Sequence, residues 1–541
     1  MNKKLLILFY LLFLLGVNRA QNFTDSNLPI VVISSGGQQV DSAINDIVVW
    51  MGIIDNGFGN RNYLTDPFNA YNGKIRLNLR GSSKMFQPKK SYKISFIDSL
   101  NQDIELSVLG LPPENDWVLE GIYNDKSLMR NAISYEIFRQ MGHYSPRYKF
   151  VELIVDGDYR GVYGFTEKIK RDNYRVNISK LTSNEISGDD LTGGYIFKLD
   201  HYMLPFDTGW YSSYASNITS DSSNYFIYYY PKPGSMPQVQ KDYLKNFVDH
   251  FEYVLASSWY ANQDSGYLKY IDLNSFIDYF LVNEMSRNTD AYRLSTYFFK
   301  DKDSKGGKIN CGPVWDYDLG WDNCVFSGGH NPFGWQYQQF YLMNYVPFWW
   351  WQFLSDPYFQ YELRCRYQSF RSNVIADNTL YSKIDSMAIY LNESQVRNFI
   401  RWPILGQVIY PAPSPAAADY SGEVQILKNW VNQRLTWLDG NVPGQCVVGE
   451  SLTTNNNTSV VVFPNPLEGD EINLLINQKD FKTFQFRIND ATGREIFPEM
   501  FKTSLSNNHT TKLNFRDVSS GVYFISVLLD ENKYVYKVIK R

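Results

Sequence analysis

The sequence predicts an α+β fold followed by a small all-β sandwich domain, and three observations carry that expectation. Short apolar runs interrupted by Gly and Asp fill the first third of the chain, helical spacing of apolar residues dominates beyond Lys241, and after Cys446 a polar linker leads into short strands alone. At 541 residues the chain exceeds one small core. A hydrophobic share of 44% beside 20% charged residues is that of a globular protein. A formal charge of -4 gives no general attraction to nucleic acid, so any polyanion site has to be local.

In chain order, Lys3 and Lys4, the apolar run Leu5 to Val17 and Ala20 before Gln21 read as an export signal over 1–20. No other stretch approaches the roughly 20 apolar residues of a spanning helix. The mature chain is therefore expected to carry no transmembrane segment and to be secreted or held at the cell surface. Strand-like runs follow between Leu28 and Trp50. Ile75, Leu77 and Leu79 alternate with Arg76, Asn78 and Arg80, and after the turn Gly81-Ser82-Ser83 and the basic Pro88-Lys89-Lys90, Tyr92, Ile94 and Phe96 alternate again. SLMRNAISYEIFRQMG predicts a helix that starts at Asp125 or Ser127 and stops at Gly142. FVELIVDGDYRGVYGFTEKI predicts two strands joined at Asp156-Gly157-Asp158.

Residues 187–220 read as long loops around one strand, GGYIFKLD. DLNSFIDYFLVNEMS predicts a helix capped by Asp272, with Phe276, Phe280 and Met285 in its buried stripe. LSTYFFKD and KINCGPVWD predict a hairpin around Lys305-Gly306-Gly307. TTNNNTS reads as a linker, and VVVFPNP, INLLINQ, FQFRIND, GREIF, TKLNF, GVYFISVLL and YVYKVIK as the strands of a separate module. The domain boundaries expected are 1–20, 21–450, 451–459 and 460–541.

The four cysteines, Cys311, Cys324, Cys365 and Cys446, form no CxxC pair, and no histidines stand at metal-ligand spacing. In an exported chain an even count favours disulfides, of which two are expected, one of them engaging Cys324.

GPVWDYDLGWDNC places Asp316, Asp318 and Asp322 among aromatic residues at the end of the hairpin, and NTDAY places Asp290 just before it. Unpaired carboxylates are costly to bury. In an extended chain Asp316 and Asp318 would face one side and repel without a cation. Phosphoryl transfer needs a phosphate cradle, carboxylates that hold a metal, and a carboxylate facing the attacking hydroxyl. The order of elements fits that need, with strands, a lysine-bearing turn, a helix and a strand pair ahead of two separated aspartates.

RGSSKMFQPKKSYKI (80–94), LGLPPENDWVLEGIYNDKSLMRN (109–131), GVYGFTEKIKRD (161–172), LTGGYIFKLD (191–200), RNTDAYRLSTYFFKD (287–301) and GPVWDYDLGW (312–321) resemble the spore coat protein H (CotH) kinase family over about Leu28 to Gly444. The resemblance implies an atypical protein-kinase-like bilobed fold that uses ATP and Mg2+ or Mn2+ to phosphorylate Ser or Thr of a protein substrate. It implies Asp290 as the catalytic residue, Asp316 as the metal ligand and Asp318 as a second metal position. Arg80, Ser82, Lys90 and Lys93 are implied for the phosphates, Glu136 as a lysine partner and Glu167 at the hinge. There is no GxGxxG, HRD or DFG, and Ser295 stands five residues after Asp290 where ordinary kinases carry Asn. VFPNP, INDATGREI, SSGVYFISV and the basic end YVYKVIKR resemble the type A sorting domain of the type IX secretion system, whose machinery is then an implied partner. An alternative of a different class is a non-catalytic surface adhesin or scaffold that uses the same fold.

Overall fold

The structure, a computed structural model, describes residues 23–40, 46–81, 86–202, 207–215, 223–262, 265–339, 345–446, 459–463, 467, 469–477, 483–490, 494–503, 509–529 and 532–540. The export signal and Ser82 lie outside the described residues.

Seven strands close a barrel: β1 (Ile30–Ser34), β2 (Ile47–Ile54), β3 (Tyr71–Arg80), β4 (Ser91–Ile97), β5 (Asp116–Gly121), β6 (Tyr148–Val155) and β7 (Asp158–Glu167). Their order is β6-β7-β5-β4-β3-β2-β1, and a parallel pairing of β6 with β1, Leu153 opposite Val31, completes the ring. The two-residue period decides what faces where. Ile75, Leu77 and Leu79 of β3 and Tyr92, Ile94 and Phe96 of β4 fill the interior with Trp117 and Phe165. Asn78, Arg80, Lys93 and Ser95 therefore belong to the outer face. Truncating the fully buried Trp117 to Ala would cost about 3–5 kcal/mol.

Helix α1 (Arg130–Gln140) starts later than its sequence suggests. The Asp125 carboxylate accepts from the Ser127 N–H at 3.0 Å, its hydroxyl at 2.6 Å and the Arg130 N–H at 2.8 Å, while Leu128 takes φ 66. That turn occupies the residues that would have opened the helix.

A second, antiparallel sheet contains β8 (Tyr195–Leu199), β9 (Gly209–Ala215), β10 (Ser223–Tyr230), β11 (Thr296–Lys300) and β12 (Ile309–Cys311), in the order β9-β10-β8-β11-β12. β9 falls within the segment expected to be loop, and it forms because Trp210 and Ser212 point inward while Trp210 pairs with Phe226. Helices α2 (Gln238–Ala256), α3 (Leu273–Ser286), α4 (Trp349–Leu354), α5 (Pro357–Arg371), α6 (Asp377–Arg401) and α7 (Tyr420–Asn441) make up the rest of the main core. Asp272 caps α3 by accepting from Ser275 N–H at 2.8 Å, and Phe276, Phe280 and Met285 are fully buried. Phe197 and Phe298 join Phe276 and Trp349 on one side of the second sheet; Ile196 and Tyr297 meet Ile169, which follows the barrel, on the other. Helix α6 fastens the barrel, since Asn398 Oδ1 accepts from Val162 N–H at 3.1 Å and from Lys89 Nζ at 2.8 Å.

The tail forms two antiparallel sheets around one apolar core. β13 (Ser459–Phe463), β14 (Glu471–Asn477) and β17 (His509–Asn514) make one; β15 (Thr483–Asp490), β16 (Glu495–Thr503), β18 (Gly521–Leu529) and β19 (Asn532–Lys540) make the other.

The expectation of two disulfides is corrected. Cys365 pairs with Cys446, and Cys311 and Cys324 are buried free thiols. Cys311 lies on β12 inside the main core, where its N–H donates to Ser275 Oγ at 3.0 Å, whereas Cys324 lies in the loop after the aspartates against Thr289. Burial pushes both thiols up, that of Cys324 to about 12.

Candidate active site

Asp290 and Asp316 are brought together by two tight reversals. Helix α3 ends at Arg287 with φ 43, and Tyr292 and Ser295 take φ 70 and 48, so the chain turns sharply ahead of β11. Asp316 comes shortly after β12 and has φ 63, and Trp321 and Asp322 follow with φ 53 and 67. Bulky residues rarely adopt this region, and such outliers concentrate at functional sites. Asn288 joins the two segments: its Nδ2 donates to the Asp316 carbonyl at 3.2 Å, and its Oδ1 accepts from the Asp290 N–H at 3.2 Å. Arg293 Nη2 donates to Asp290 Oδ1 at 3.0 Å and to the Thr289 carbonyl at 2.9 Å.

Burial pushes the Asp290 carboxyl up to about 6; Arg293 opposes that rise, Asp316 adds to it, His201 opposes and Asp200 adds. Positive φ at Asp316 breaks the alternation assumed for an extended chain. Tyr317 turns inward, where its hydroxyl donates to Asn283 Oδ1 at 2.8 Å, and Asp318 enters a turn in which its carbonyl accepts from Asn323 Nδ2 at 2.6 Å. Asp322 belongs elsewhere. Burial also raises it to about 6, with Arg130 opposing and Glu423 adding.

Across the seam, the outer face of the barrel supplies cations. Arg80, at the end of β3, lies over the Trp315 ring at 4.8 Å, next to Asp316. Lys93 stands opposite Asn78 in the β3–β4 register. Lys168 follows β7, and its ammonium is lowered to about 8 chiefly by burial; Asp116 opposes this, while Lys232, Lys93 and Arg80 push the same way. Among the described residues the side chains of Arg80, Lys93, Lys168 and Lys232 make no ion pair or hydrogen bond. From the second sheet, Lys198 lies between the Tyr229 and Tyr297 rings at 5.7 and 5.8 Å and pairs with Asp200 at 2.6 Å. Mutual repulsion of this kind is sustained only at some cost, and a polyanion relieves it.

The remaining sequence-derived positions are distributed differently. Lys90 precedes β4, with its carbonyl 2.6 Å from where a Cβ on Gly121 would stand. Its neighbour Lys89 is fully buried, bonded to Asn398 and lowered to about 7 by burial, with Glu152 and Glu120 opposing. Glu136 pairs with Arg139 one turn along α1 rather than with a barrel lysine. Glu167 points inward, accepting from Arg147 Nη1 at 2.8 Å and facing the buried Arg175 at 3.2 Å, so its carboxylate is occupied. Lys168, Lys198, Asp200, His201 and Lys232 were not singled out as site residues in the sequence, although Lys168, Lys198 and Asp200 stand inside the family-like segments. The usable signal was alternation: Glu167 inward requires Lys168 outward.

A triphosphate fits the unpaired cations. For a metal, no group of three or more His, Cys, Asp or Glu among the described residues is placed to hold an ion. A protein-caged metal therefore does not fit. A magnesium ion that keeps waters and shares phosphate oxygens asks the protein for only one or two carboxylates.

These features define an α+β protein in which a closed barrel brings Arg80 against the loop of Asp316, itself joined to Asp290 through Asn288. The chain belongs to the CotH kinase protein family, whose model matches residues 77–438. Residues 461–541 match the secretion system C-terminal sorting domain, which marks the chain for type IX export to the cell surface or medium. No helix among the described residues is long and apolar enough to cross a membrane. No curated protein matches the chain.

Proposed function

We propose that this protein is an exported, bilobed, protein-kinase-like phosphotransferase that moves the γ-phosphoryl group of ATP to Ser or Thr of secreted or surface proteins. The observation that supports this most is Arg80, stacked over Trp315 beside Asp316, with Lys93 and Lys168 of the same barrel close enough to Arg80 for the three cations to repel. Arg80, Lys93 and Lys168 bind the phosphates, with Lys232 reinforcing their field, and the family resemblance adds Lys90 and Ser82 to them. Asp316, with Asp318 as a second position, would hold magnesium or manganese, which when bound supplies charge neutralisation between the phosphates. Asp290, its carboxyl pushed up to about 6 by burial, orients the acceptor hydroxyl and takes its proton. Arg293 keeps that carboxylate in place.

The tail is read as a β-sandwich that serves export, preceded by a signal peptide over 1–20 and a linker over 451–459, with 21–450 as the catalytic unit. Deleting 455–541 should trap the protein before the cell surface, and normal surface delivery would defeat that assignment. The catalytic reading is tested by incubating the full chain with labelled ATP, magnesium or manganese and a mixture of surface proteins. Label on Ser or Thr supports it. Binding of nucleotide without transfer, or neither, moves the protein to the adhesin or scaffold alternative.

A further inference from the structure

The loop after the aspartates presents apolar side chains to solvent immediately beside Asp290. Cys324 packs against Thr289 and interacts with the Asp290 carboxylate. A Cβ on Gly329 would stand 2.4 Å from Thr289 Cγ2, so the chain from 324 to 329 curls closely around the residue that precedes Asp290. Within that curl Val325 and Phe326 are exposed, and they meet a second segment: Val325 N–H donates to the Pro411 carbonyl at 2.8 Å, and the Phe326 ring lies 6.1 Å from that of Tyr410. Val408 and Tyr410 are also exposed, Tyr410 by 76%.

The chain that follows the curl is anchored in the core. Arg434 of α7, fully buried, donates to the Pro332 and Gly334 carbonyls at 2.8 and 2.7 Å and pairs with buried Glu284 at 3.2 Å. Glu284 in turn accepts from the Gln336 and Tyr337 N–H groups at 2.7 and 3.0 Å. Arg287 Nε donates to Gln336 Oε1 at 3.1 Å. The chain from 332 to 337 is thus tied to α3 and α7 by buried charged groups. Gln336 Nε2 carries that tie back to the curl by donating to the Ser327 carbonyl at 3.2 Å, next to Phe326, which lowers the entropic cost of binding there.

We propose that Val325, Phe326, Val408 and Tyr410 form the acceptor-docking surface, selecting extended protein segments that carry an apolar or aromatic residue beside the phosphorylated hydroxyl. The occupant follows from continuity with Asp290: a group seated on this patch adjoins the residue whose carboxylate addresses the acceptor. The four side chains offer no charge to pair with, so an apolar neighbour is favoured and a charged one is left desolvated without a partner. This inference rests on the phosphotransferase reading for its chemistry, but the docking itself does not need transfer.

The test uses the full chain and short peptides with one serine flanked by Phe and Leu or, in the control, by Asp and Gly. Binding is read by fluorescence anisotropy and transfer by labelled ATP. The parent is expected to bind the apolar peptide about fivefold or more tightly than the control, and Phe326→Asp and Tyr410→Asp should each remove that preference while leaving MgATP affinity and the melting temperature unchanged. Because both side chains are exposed, the folded state is expected to tolerate the changes. Equal binding of the two peptides by the parent, or an undiminished preference in both variants, overturns the docking surface even if transfer occurs. A preference that the variants lose, in a chain that transfers no phosphate, supports the docking surface and defeats the phosphotransferase reading instead.

Discussion

The side-chain amide of Asn288 donates to the backbone carbonyl of Asp316 at 3.2 Å while its oxygen accepts from the Asp290 N–H. One buried amide thus sets the spacing of the two loops that flank the open end of the β11–β12 hairpin, before β11 and after β12. Neither loop is regular structure, and both contain residues with positive φ, so this cross-link does what strand pairing does elsewhere in the sheet.

Replacing Asn288 by Ala should therefore leave an N–H and a carbonyl without their partner, at a cost of about 1–3 kcal/mol. Thermal unfolding measures that loss. If the clamp also matters for chemistry, phosphate transfer should fall much further than MgATP affinity, and calorimetric titration beside the labelled-ATP assay separates the two.

Glu167 and Lys168 are adjacent in the chain and should fail in opposite ways. Glu167→Gln weakens the pairing of Arg147 and of the buried Arg175, which keeps Glu114 and Asp172, with a cost of about 1–3 kcal/mol in chemical denaturation. Lys168→Met removes a cation disfavoured chiefly by burial and also by Lys232, Lys93 and Arg80, against the attraction of Asp116, so stability should hold or rise slightly while ATP affinity drops at least tenfold. Equal ATP affinity in the Lys168 variant would remove it from the phosphate site.

The strands around this pair were legible because alternation is a strong local signal. Ile75, Leu77, Ile94 and Phe96 mark the barrel interior, and the same alternation places Lys93 outside. What the sequence did not disclose is closure, since the parallel pairing of β6 with β1 joins residues far apart in the chain. The aspartate loops were readable as acidic segments but not as geometry. The face shared by Asp316 and Asp318 was inferred from extended backbone, and left-handed φ at Asp316 cancels that inference. Cysteine count likewise fixes neither pairing nor number of bridges, because only the packing of α5 against the chain after α7 brings Cys365 to Cys446.

Mass mapping of the non-reduced protein should find one bridge, Cys365–Cys446, and two thiols reactive only after unfolding. The bridge spans a sequence separation of 81 residues. By loop-closure entropy a Cys365→Ser and Cys446→Ser double variant should lose about 4 kcal/mol. A third sulfur still protected after unfolding, or a bridge at Cys324, contradicts the pairing.

The Asp290 carboxyl supplies a prediction that does not depend on the substrate. Its folded value of about 6 lies above its ordinary 3.8, so the folded protein binds more protons than the unfolded one between those values. Stability contributed by this group is then present at low pH, falls as pH rises through about 6, and above that leaves a constant penalty on the order of 2–3 kcal/mol. Asp290→Asn removes the ionisation, so the variant should melt above the parent at pH 8, and the gap should close towards pH 4. In the parent, transfer should decline below about pH 6 as the carboxylate protonates. Asp290→Asn should keep most MgATP affinity and lose transfer, whereas Asp316→Asn should weaken magnesium-dependent nucleotide binding as well. A parent and an Asp290→Asn variant with the same melting profile from pH 4 to 8 would show that Asp290 is an ordinary solvated turn residue, and the assignment of a proton-accepting role would go with it.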